Sequence, residues 1–468
     1  MKKLLFFILI PFLFSSCETI DDNAVPKNLQ INDFVWKGMN LYYLWQSDVP
    51  DLADDRFENQ SQLNTFLESY SSSTDLFNHL RIATSVDRFS VIFSDYTVLE
   101  GVLSGTTLNN GMDYALRYKT GSTTDVYGWV RYVLPNSDAS NKGVERGAIF
   151  YAINGIPLTV DNYRTLLNTE SYTINLADYG GGNIIPNGQS VSLTKTNLSE
   201  NPILVNSVIN QGTHKIGYLM YNGFYPSYDS QLNTTFGQLK SQNITDLVLD
   251  LRYNSGGSVT SATRLASMIT GQFNGQLFAK EQWNQKAQAY FEETNPSTLN
   301  NNFTNTIGSS AINSLNLSKV YVLTSKSSAS ASELVINCLK PYITVIQIGD
   351  VTTGKNVGSI TLYDSPTFSK TNVNPNHKYA MQPIVLKIVD KNGFGDYTSG
   401  IAPTLPLVEN LGNLSVLGNE NELLLNAAIN QIINSGKKIT QNPAITQRDF
   451  MDAKAMNPLQ TEMFVEVK

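Results

Sequence analysis

The chain has 468 residues, a formal net charge of −7, 41% hydrophobic residues and 10% aromatic residues. This apolar content is sufficient for packed cores, and the length predicts about three domains at roughly 150 residues each. The acidic balance, with no basic cluster anywhere in the chain, argues against a nucleic-acid-binding protein.

The first residues have the composition of a targeting segment. Lys2 and Lys3 precede an apolar run over residues 4–14 that is too short to span a bilayer. Small residues and Cys17 then follow, which resembles a bacterial lipoprotein signal with a lipidated cysteine, although Phe14 replaces the usual leucine. We therefore expect a signal peptide over 1–16, with a plain secretory signal as the alternative.

A short tether is predicted over residues 17–27, followed by a small helical cap domain over 28–85. Apolar spacing indicates three helices in this domain, and they are expected near residues 32–46, 60–70 and 74–80. Four aromatic residues of the first helix are interpreted as core rather than as a binding site: Trp36, Tyr42, Tyr43 and Trp45.

Residues 86–200 alternate short apolar runs with glycine-containing turns, so we expect a strand-rich domain there. A second, larger domain is predicted over 201–440, with strands at 215–221 and 246–250. The latter strand runs into the paired glycines Gly256 and Gly257, and then into a helix over 259–269. Two glycines allow the backbone to approach another group closely and to present its N–H groups outward.

Residues 294–319 are rich in Asn, Ser and Thr, and they are interpreted as a long surface connection that acts as a lid. A buried strand over 320–324 follows. We expect further strands at 343–348 and 383–389, a helix near 421–434, and a polar, loosely packed C-terminal tail over 441–468.

The string Ser328-Ala-Ser-Ala-Ser-Glu333 lies between the 320–324 strand and a helix that runs to Lys340. The first N–H groups of a helix are unpaired, so donors and dipole together stabilise an oxyanion formed there. Ser330 is thus a candidate nucleophile. The alternative is that Ser330 and Glu333 form a capping box, which requires no chemistry.

A lone lysine, Lys355, follows Gly354 on a turn beyond the 343–348 strand. A lysine with a pKa near 10.4 acts as a base at neutral pH only where burial or a nearby cation disfavours its charged form. Lys355 is a candidate base if this turn packs against the Ser330 helix. The alternative is a solvated loop lysine.

Taken together, the paired-glycine turn, the serine string and the Gly354-Lys355 turn resemble the C-terminal processing (tail-specific) serine protease family, over roughly residues 85–435. The resemblance implies Ser330 as nucleophile and Lys355 as base. It implies oxyanion donors at Ala331 and at either Gly256 or Gly257. Many family members carry an orienting glutamine four residues beyond the lysine, and this chain has Ser359 there as a possible auxiliary residue.

The family resemblance also implies a mixed α/β fold with a ClpP/crotonase-like catalytic domain and an inserted PDZ domain over 86–200. Residues 87–90 would form its entry, and residues 143–155 carry a further likeness. PDZ domains take a peptide as an added strand and hold its carboxylate on backbone amides. The candidate peptide-binding loop is Gly111, Met112, Asp113 and Tyr114, where Asp113 stands in place of a common glycine.

We expect a lipid-anchored serine endopeptidase of the bacterial cell envelope that acts on proteins or peptides, on the periplasmic or cell-surface side. Neither a metal nor another cofactor is implied, and no nucleic-acid partner is expected. One alternative is a non-catalytic peptide-binding lipoprotein with the same fold. Others are a hydrolase that uses His377 and a glycosidase that uses Asp246 and Asp250, although these two carboxylates also suit ion pairing with Arg252. Cys338 is predicted to be a buried thiol without a disulfide partner.

Overall fold

A computed structural model describes residues 25–433, 448–456, 459 and 461–466 of the chain. The predicted signal peptide 1–16, Cys17 and the tether up to residue 24 lie outside the described residues. Within the described ranges, no helix is both long and apolar enough to cross a membrane.

The described part of the chain contains eleven α-helices. They are α1 Gln30–Tyr42, α2 Gln60–Glu68, α3 Ser73–His79, α4 Tyr96–Leu103, α5 Asp138–Asn141, α6 Tyr163–Leu167, α7 Asp229–Ser241, α8 Val259–Thr270, α9 Gln285–Thr294, α10 Ala331–Leu339 and α11 Leu423–Ile433.

Strands β1 to β13 lie in the first 258 residues. They are β1 Val91–Phe93, β2 Thr106–Asn109, β3 Met112–Tyr118, β4 Val126–Val133, β5 Ile149–Ile153, β6 Ile156–Pro157, β7 Ser171–Gly180, β8 Asn183–Thr194, β9 Thr196–Ser199, β10 Ile203–Gln211, β11 His214–Tyr221, β12 Asp246–Asp250 and β13 Gly257–Ser258.

The remaining strands are β14 Leu277–Trp283, β15 Asn300–Asn302, β16 Thr306–Ile307, β17 Ser310–Ala311, β18 Lys319–Thr324, β19 Thr344–Gly349, β20 Val357–Ser359, β21 Leu362–Tyr363, β22 Ala380–Gln382, β23 Ile384–Val389, β24 Leu405–Pro406, β25 Asp449–Asp452 and β26 Met463–Phe464.

The three N-terminal helices form where the apolar spacing predicts them. Asn59 and Ser72 cap α2 and α3 by accepting hydrogen bonds from backbone N–H groups of the first turn. Helix α1 ends four residues earlier than predicted, because Tyr43 leaves the helical conformation and the Leu44 amide donates to the Ile384 carbonyl of β23. Among the aromatic residues, Trp36 and Tyr43 are buried in the core, as predicted.

The central sheet has the strand order β10-β11-β12-β18-β19-β24, and every neighbouring pair after β10-β11 is parallel. Side chains of a strand alternate between the two faces. Leu247 and Leu249 of β12 accordingly pack in the core that contains α8 and α10, whereas Val248 packs in the core that contains α11. The sheet therefore lies between two helical layers and is buried on both faces.

The carboxyl ends of β12, β18 and β19 meet at one edge of this sheet, because the three strands are parallel neighbours. The paired glycines follow β12, the serine string follows β18, and the Lys355 turn follows β19. In open α/β sheets this edge is where ligands bind. The topology thus brings three segments together that are far apart in the sequence.

Residues 112–194 form an antiparallel sheet with the order β25-β3-β4-β5-β7-β8, in which β6 pairs with β5. Strand β25 comes from the C-terminal segment and pairs with the outer edge of β3. A third sheet has the order β13-β26-β20-β23-β14-β15, so β26, also C-terminal, lies between two strands of the catalytic region. The prediction of a loosely packed tail is wrong for the described residues of 448–466.

Residues 294–319 form the predicted surface connection, because almost all of them are exposed or half-buried, but the segment is not free of secondary structure. This segment contains β15, β16 and β17, and β15 pairs with β14. Leu299 and Phe303 are buried in the core beside α8. These two apolar residues anchor the otherwise polar segment to the core, and its polar residues form the outer face.

A cluster of five charged residues is buried where the central sheet meets the antiparallel sheet. Arg252 donates to Asp250 at 3.0 Å and makes two hydrogen bonds with Glu422, and Arg146 donates to Glu409 at 2.6 Å. Arg252 also lies 3.1 Å from Glu409. The predicted Asp250–Arg252 pair is thus present. Burial alone would raise the pKa of Glu409, but the charges of Arg146 and Arg252 lower it to about 2.

We expect Glu409→Gln to reduce the free energy of unfolding at pH 7 by about 3 kcal/mol, because it leaves two buried guanidinium groups short of one negative charge. A lowered folded-state pKa contributes stability above the ordinary value of 4.5 and loses it as pH falls towards about 2. Wild-type stability should therefore fall more steeply with acid than that of the variant in this range. Urea unfolding followed by tryptophan fluorescence measures both effects, with the exposed Glu420→Gln as control. Equal stability of Glu409→Gln and wild type at pH 7 would contradict the expectation.

Candidate active site

Ser330 stands between the loop after β18 and the first turn of α10, with φ 64° and ψ −115°. A non-glycine residue in this region costs about 1–3 kcal/mol and persists only where the surroundings impose it. The residue is fully buried, and its hydroxyl has no hydrogen-bond partner among the described residues. The strained backbone holds a free hydroxyl at the N-terminus of a helix.

Ser330 and Glu333 form the capping box that the alternative interpretation predicts, although the Ser330 hydroxyl makes no close hydrogen bond. The Ser330 amide donates to Oε2 of Glu333 at 2.8 Å, as in a capping box, while the hydroxyl itself stays unpartnered. Capping by Glu333 therefore leaves the Ser330 hydroxyl, the candidate nucleophile, available for reaction.

Lys355 is buried, with 0% of its surface exposed, so it is not the solvated loop lysine of the alternative interpretation. Its Nζ lies 4.4 Å from the ring centre of Phe89 and 2.5 Å from Oε2 of Glu462. Burial lowers the pKa of Lys355 from its ordinary value, while the carboxylates of Glu462, Asp87 and Glu333 oppose this shift. Burial thus shifts the pKa of Lys355 in the direction that a general base requires.

One buried carboxylate, that of Glu333, joins the serine to the lysine turn. Besides the Ser330 amide, it accepts hydrogen bonds from the Gly354 amide at 2.6 Å, from the Lys355 amide at 2.8 Å and from the Thr352 hydroxyl at 2.5 Å. Burial raises the pKa of Glu333, and these four hydrogen bonds oppose the increase. The sequence pattern indicates Glu333 only as a capping residue and gives no sign of this link.

Asn254 holds the turn after β12. The sequence pattern did not indicate this role. The Asn254 side chain donates to the Tyr221 carbonyl and accepts from the Gly256 amide at 2.9 Å, and its carbonyl accepts from the Ala329 amide and the Ser332 hydroxyl. Asn254 thus joins β11, the paired glycines and the serine loop. The short Asn-Ser-Gly-Gly sequence of this turn is the only sequence signal for it.

The paired glycines have φ values of 117° and 134°, which other residues rarely adopt. A Cβ at Gly256 would lie 2.4 Å from the Glu462 carbonyl oxygen and 2.8 Å from the Ser330 hydroxyl oxygen, so these oxygens flank the same point. The Gly256 amide is occupied by Asn254, whereas the Gly257 amide donates to the Glu462 carbonyl at 2.5 Å. Of the two candidate oxyanion donors, only the Gly257 amide donates to a backbone carbonyl, that of Glu462.

The segment 87–90, expected at the entry of a PDZ domain, packs against the lysine turn instead. Arg88 donates to the Gly354 carbonyl at 2.8 Å, and Phe89 covers the Lys355 amine. Asp87 accepts from the Tyr43 hydroxyl and from two backbone amides, which fixes the segment to the helical cap. The N-terminal region therefore shapes the surroundings of the candidate base.

Ser359 lies on β20, and its hydroxyl bonds to the C-terminal strand and to β22. Its hydroxyl donates to the Met463 carbonyl at 3.2 Å and accepts from Nε2 of Gln382 at 3.0 Å. Gln382, from β22, is fully buried beside it. The Ser359 hydroxyl, which was expected to act as an auxiliary group, therefore contacts the C-terminal strand β26 in this structure.

The loop at Gly111, Met112, Asp113 and Tyr114 differs from a free carboxylate-binding loop. The Gly111 amide donates to Asn109 and the Met112 amide donates to Asn110, so neither amide is available to a ligand. Asp113 pairs with Arg131 at 2.5 Å. Met112, Asp113 and Tyr114 belong to strand β3 itself, whose outer edge pairs with β25, which is strand addition without capture of a terminal carboxylate.

The alternative chemistries find little support in the geometry. His377 contacts Asp364 at 2.8 Å through Nε2, and its Nδ1 accepts from the Tyr379 amide. Asp246 contacts His214 at 2.7 Å, and Asp250 is occupied by Arg252 and Tyr218. Cys338 is a buried free thiol, as predicted.

Comparison with known proteins identifies the domains. The peptidase family S41 domain matches residues 215–371, and the peptidase S41 N-terminal domain matches residues 30–91. Carboxyl-terminal-processing peptidase 2, chloroplastic, of Arabidopsis thaliana is 26% identical over 303 residues, which are 63% of this chain and 53% of that protein. The chain thus spans about half the length of this relative.

Two solved structures are similar to this chain over most of its length. A protein named as an S41 protease from Bacteroides fragilis NCTC 9343 superposes with a TM-score of 0.66 at 27% identity, covering 86% of this chain and 98% of that one. The photosystem II D1 C-terminal processing protease has a TM-score of 0.49 at 17% identity, covering 82% and 94%.

The chain shares the mixed α/β fold of the S41 protease from Bacteroides fragilis, and it matches two S41 peptidase domains over residues 30–91 and 215–371. The chain carries both domains of peptidase family S41, and it is a homologue of the C-terminal processing peptidases.

We expect Glu333→Gln to loosen the lysine turn, because an amide NH₂ group would face backbone donors in place of one carboxylate oxygen. The free energy of unfolding should fall by about 2 kcal/mol. Hydrogen exchange at the Gly354 and Lys355 amides should accelerate relative to wild type. Mass-spectrometric exchange and thermal unfolding measure these effects, with the exposed Glu293→Gln as control. Unchanged exchange at both amides would show that Glu333 does not hold the turn.

Proposed function

We propose that the protein is a serine endopeptidase in which Ser330 is the nucleophile and Lys355 the general base. The observation that carries this proposal is that both groups converge on one residue, Glu462. The Lys355 amine contacts its side chain, while its backbone carbonyl and the Ser330 hydroxyl flank Gly256. A peptide segment therefore already lies where the two groups would meet a substrate.

The proposed reaction follows from these positions. Neutral Lys355 accepts the hydroxyl proton as the Ser330 oxygen attacks the peptide carbonyl carbon, and the proton then passes to the departing amine. Water, deprotonated by the same lysine, hydrolyses the acyl-enzyme and restores Ser330. The sum is one peptide bond and one water converted into a carboxylate and an amine.

Two backbone amides are proposed to stabilise the oxyanion. The Gly257 amide is supported by its hydrogen bond to the Glu462 carbonyl, and the Ala331 amide by its position in the first turn of α10. Gly256 is proposed as a spacer that lets the backbone approach Ser330, since its own amide is bonded to Asn254.

For the finer architecture, we propose that the central sheet region is a ClpP/crotonase-like catalytic domain. The antiparallel sheet of residues 112–194 is proposed to be a PDZ domain. Strand addition at the β3 edge supports a peptide-binding role for that sheet. Proteins or peptides in extended conformation are the proposed substrates.

Cleavage of unfolded casein tests the dyad. Ser330→Ala and Lys355→Ala should each reduce kcat/KM by at least about a thousandfold, because each removes a group that acts in the chemical step. Wild-type kcat/KM should rise with pH as Lys355 loses its proton, with the midpoint below the ordinary pKa of 10.5.

Two control variants define the other outcomes. Lys387→Ala removes an exposed lysine of neighbouring β23 and should retain activity, and His377→Ala should also retain it. If His377→Ala is inactive while Lys355→Ala cleaves, the dyad is wrong. If neither wild type nor any variant cleaves, the non-catalytic peptide-binding alternative gains support.

We further propose that the protein is a lipoprotein of the bacterial cell envelope, anchored through Cys17. The basic start, the apolar run over 4–14 and the small residues before the cysteine support this. When the protein is expressed with its signal in a bacterial host, wild type should incorporate a labelled fatty acid and sediment with membranes. Cys17→Ser should do neither. Equal labelling of both proteins would exclude Cys17 as the site.

A further inference from the structure

The C-terminal segment makes contacts in two separate places that the proposed peptidase function assigns to substrate. Residues 449–452 add a strand to the edge of β3, and residues 463–464 form a strand between β13 and β20. The tail was expected to be polar and loose, and nothing in its sequence indicates either contact. Its position therefore needs an explanation beyond local packing.

At the first contact, β25 pairs antiparallel with β3, so that Arg117 faces Asp449 and Leu116 faces Met451. The ring of Phe450 lies between Tyr118 of β3 and Tyr163 of α6, with ring-centre distances of 5.2 Å and 5.1 Å. This is the arrangement of an extended peptide in a strand-addition groove between a strand and a helix.

A buried ion pair fixes the tail next to this groove. Arg131 of β4 donates two hydrogen bonds to Asp452, at 2.7 Å and 2.8 Å, and the hydroxyl of Ser327 also donates to Asp452. Burial acts to raise the pKa of Asp452, but the charge of Arg131 and the hydrogen bonds from Arg131, Ser327 and the Lys454 amide together lower it. Because Ser327 belongs to the serine loop, one carboxylate links the groove to the catalytic region.

At the second contact, the tail enters the candidate active site. The Glu462 carbonyl accepts from the Gly257 amide, and its side chain forms an ion pair with Lys355 that is almost completely buried. The Met463 carbonyl accepts from Ser359, and the Val465 amide donates to the Ser359 carbonyl. The tail thus occupies both the oxyanion donor and the base.

We propose that the C-terminal segments 448–456 and 461–466 act as an intramolecular pseudosubstrate that holds the peptidase in an inhibited state, and that a substrate must displace them to be cleaved. The inference rests on the proposed function. The Glu462 carboxylate is the inhibitory element, because it pairs with the amine that must accept the serine proton. Strand β25 supplies the attachment that keeps Glu462 in place.

A disulfide staple tests whether the docked tail inhibits. Arg117 and Asp449 are cross-strand partners whose side chains meet at 2.8 Å, and a disulfide requires Cα atoms about 4.4–6.8 Å apart, as in such pairs. We expect Arg117→Cys/Asp449→Cys, in a Cys17→Ser background, to oxidise spontaneously. The oxidised protein should cleave an unstructured peptide at least about tenfold more slowly than the same protein after reduction. The single-cysteine variants should not respond to reductant.

The outcomes separate the inference from the proposed function. A staple that forms without changing activity would overturn inhibition and leave β25 as a structural strand. Failure of the staple to form would overturn the docking. If the staple forms but neither the reduced protein nor any tail variant cleaves, the proposed peptidase function fails while the docking stands.

A second variant acts on the ion pair with little change in shape. Glu462→Gln should raise kcat/KM at pH 7 by about tenfold, and it should move the acidic limb of the pH profile to lower pH, because Lys355 loses the anion that favours its charged form. The control is Glu466→Gln, an exposed carboxylate of the same segment, which should behave as wild type. Equal profiles for all three proteins would contradict the assignment of Glu462.

Mass spectrometry of the incubated wild-type chain decides between inhibitor and substrate. The pseudosubstrate assignment predicts that the intact mass persists. Accumulation of a chain ending at Glu462, absent in Ser330→Ala, would mean that the tail is a cleavable substrate, and it would overturn inhibition.

Discussion

The carboxylate of Glu333 is the constraint on which the rest of the site depends. The serine loop and the lysine turn follow different strands of the central sheet, and Glu333 accepts hydrogen bonds from the backbone of both. Their relative position is therefore fixed by a group that takes no part in the proposed chemistry. A buried carboxylate that is fully hydrogen-bonded defines geometry well, because every alternative arrangement leaves donors unsatisfied.

Around this carboxylate the molecule supplies the two conditions that a serine–lysine pair requires. The backbone of Ser330, with its positive φ, holds the hydroxyl at the N-terminus of α10 without a close hydrogen-bond partner among the described residues. Phe89 of the 87–90 segment covers the buried Lys355 amine, and burial disfavours its charge. The N-terminal and sheet regions thus act on opposite members of the pair, and neither region alone would make a reactive site.

The sequence was sufficient for the elements whose signal is local. Apolar runs predicted β12, β18 and β19 to within one or two residues, and the serine string and the Gly354-Lys355 turn identified Ser330 and Lys355 as the candidates. The contacts of Glu333 with Gly354 and of Asn254 with Ala329 were not predictable in this way, because they arise only when parallel strands bring distant loops together. The prediction for the C-terminal tail was wrong for a related reason. Strand β26 has only two residues, which carry no periodicity, and its place is set by the edges that receive it.

The position of strand β26 determines what the active site would expose if the C-terminal segment left it. It lies between β13 and β20, so withdrawal of residues 463–464 would leave two facing rows of unpaired backbone groups. Open edges of this kind recruit any extended chain within reach. A cleft between β13 and β20 without a bound strand should therefore be short-lived. We expect one extended segment to replace another there, so that the two edges are rarely unpaired.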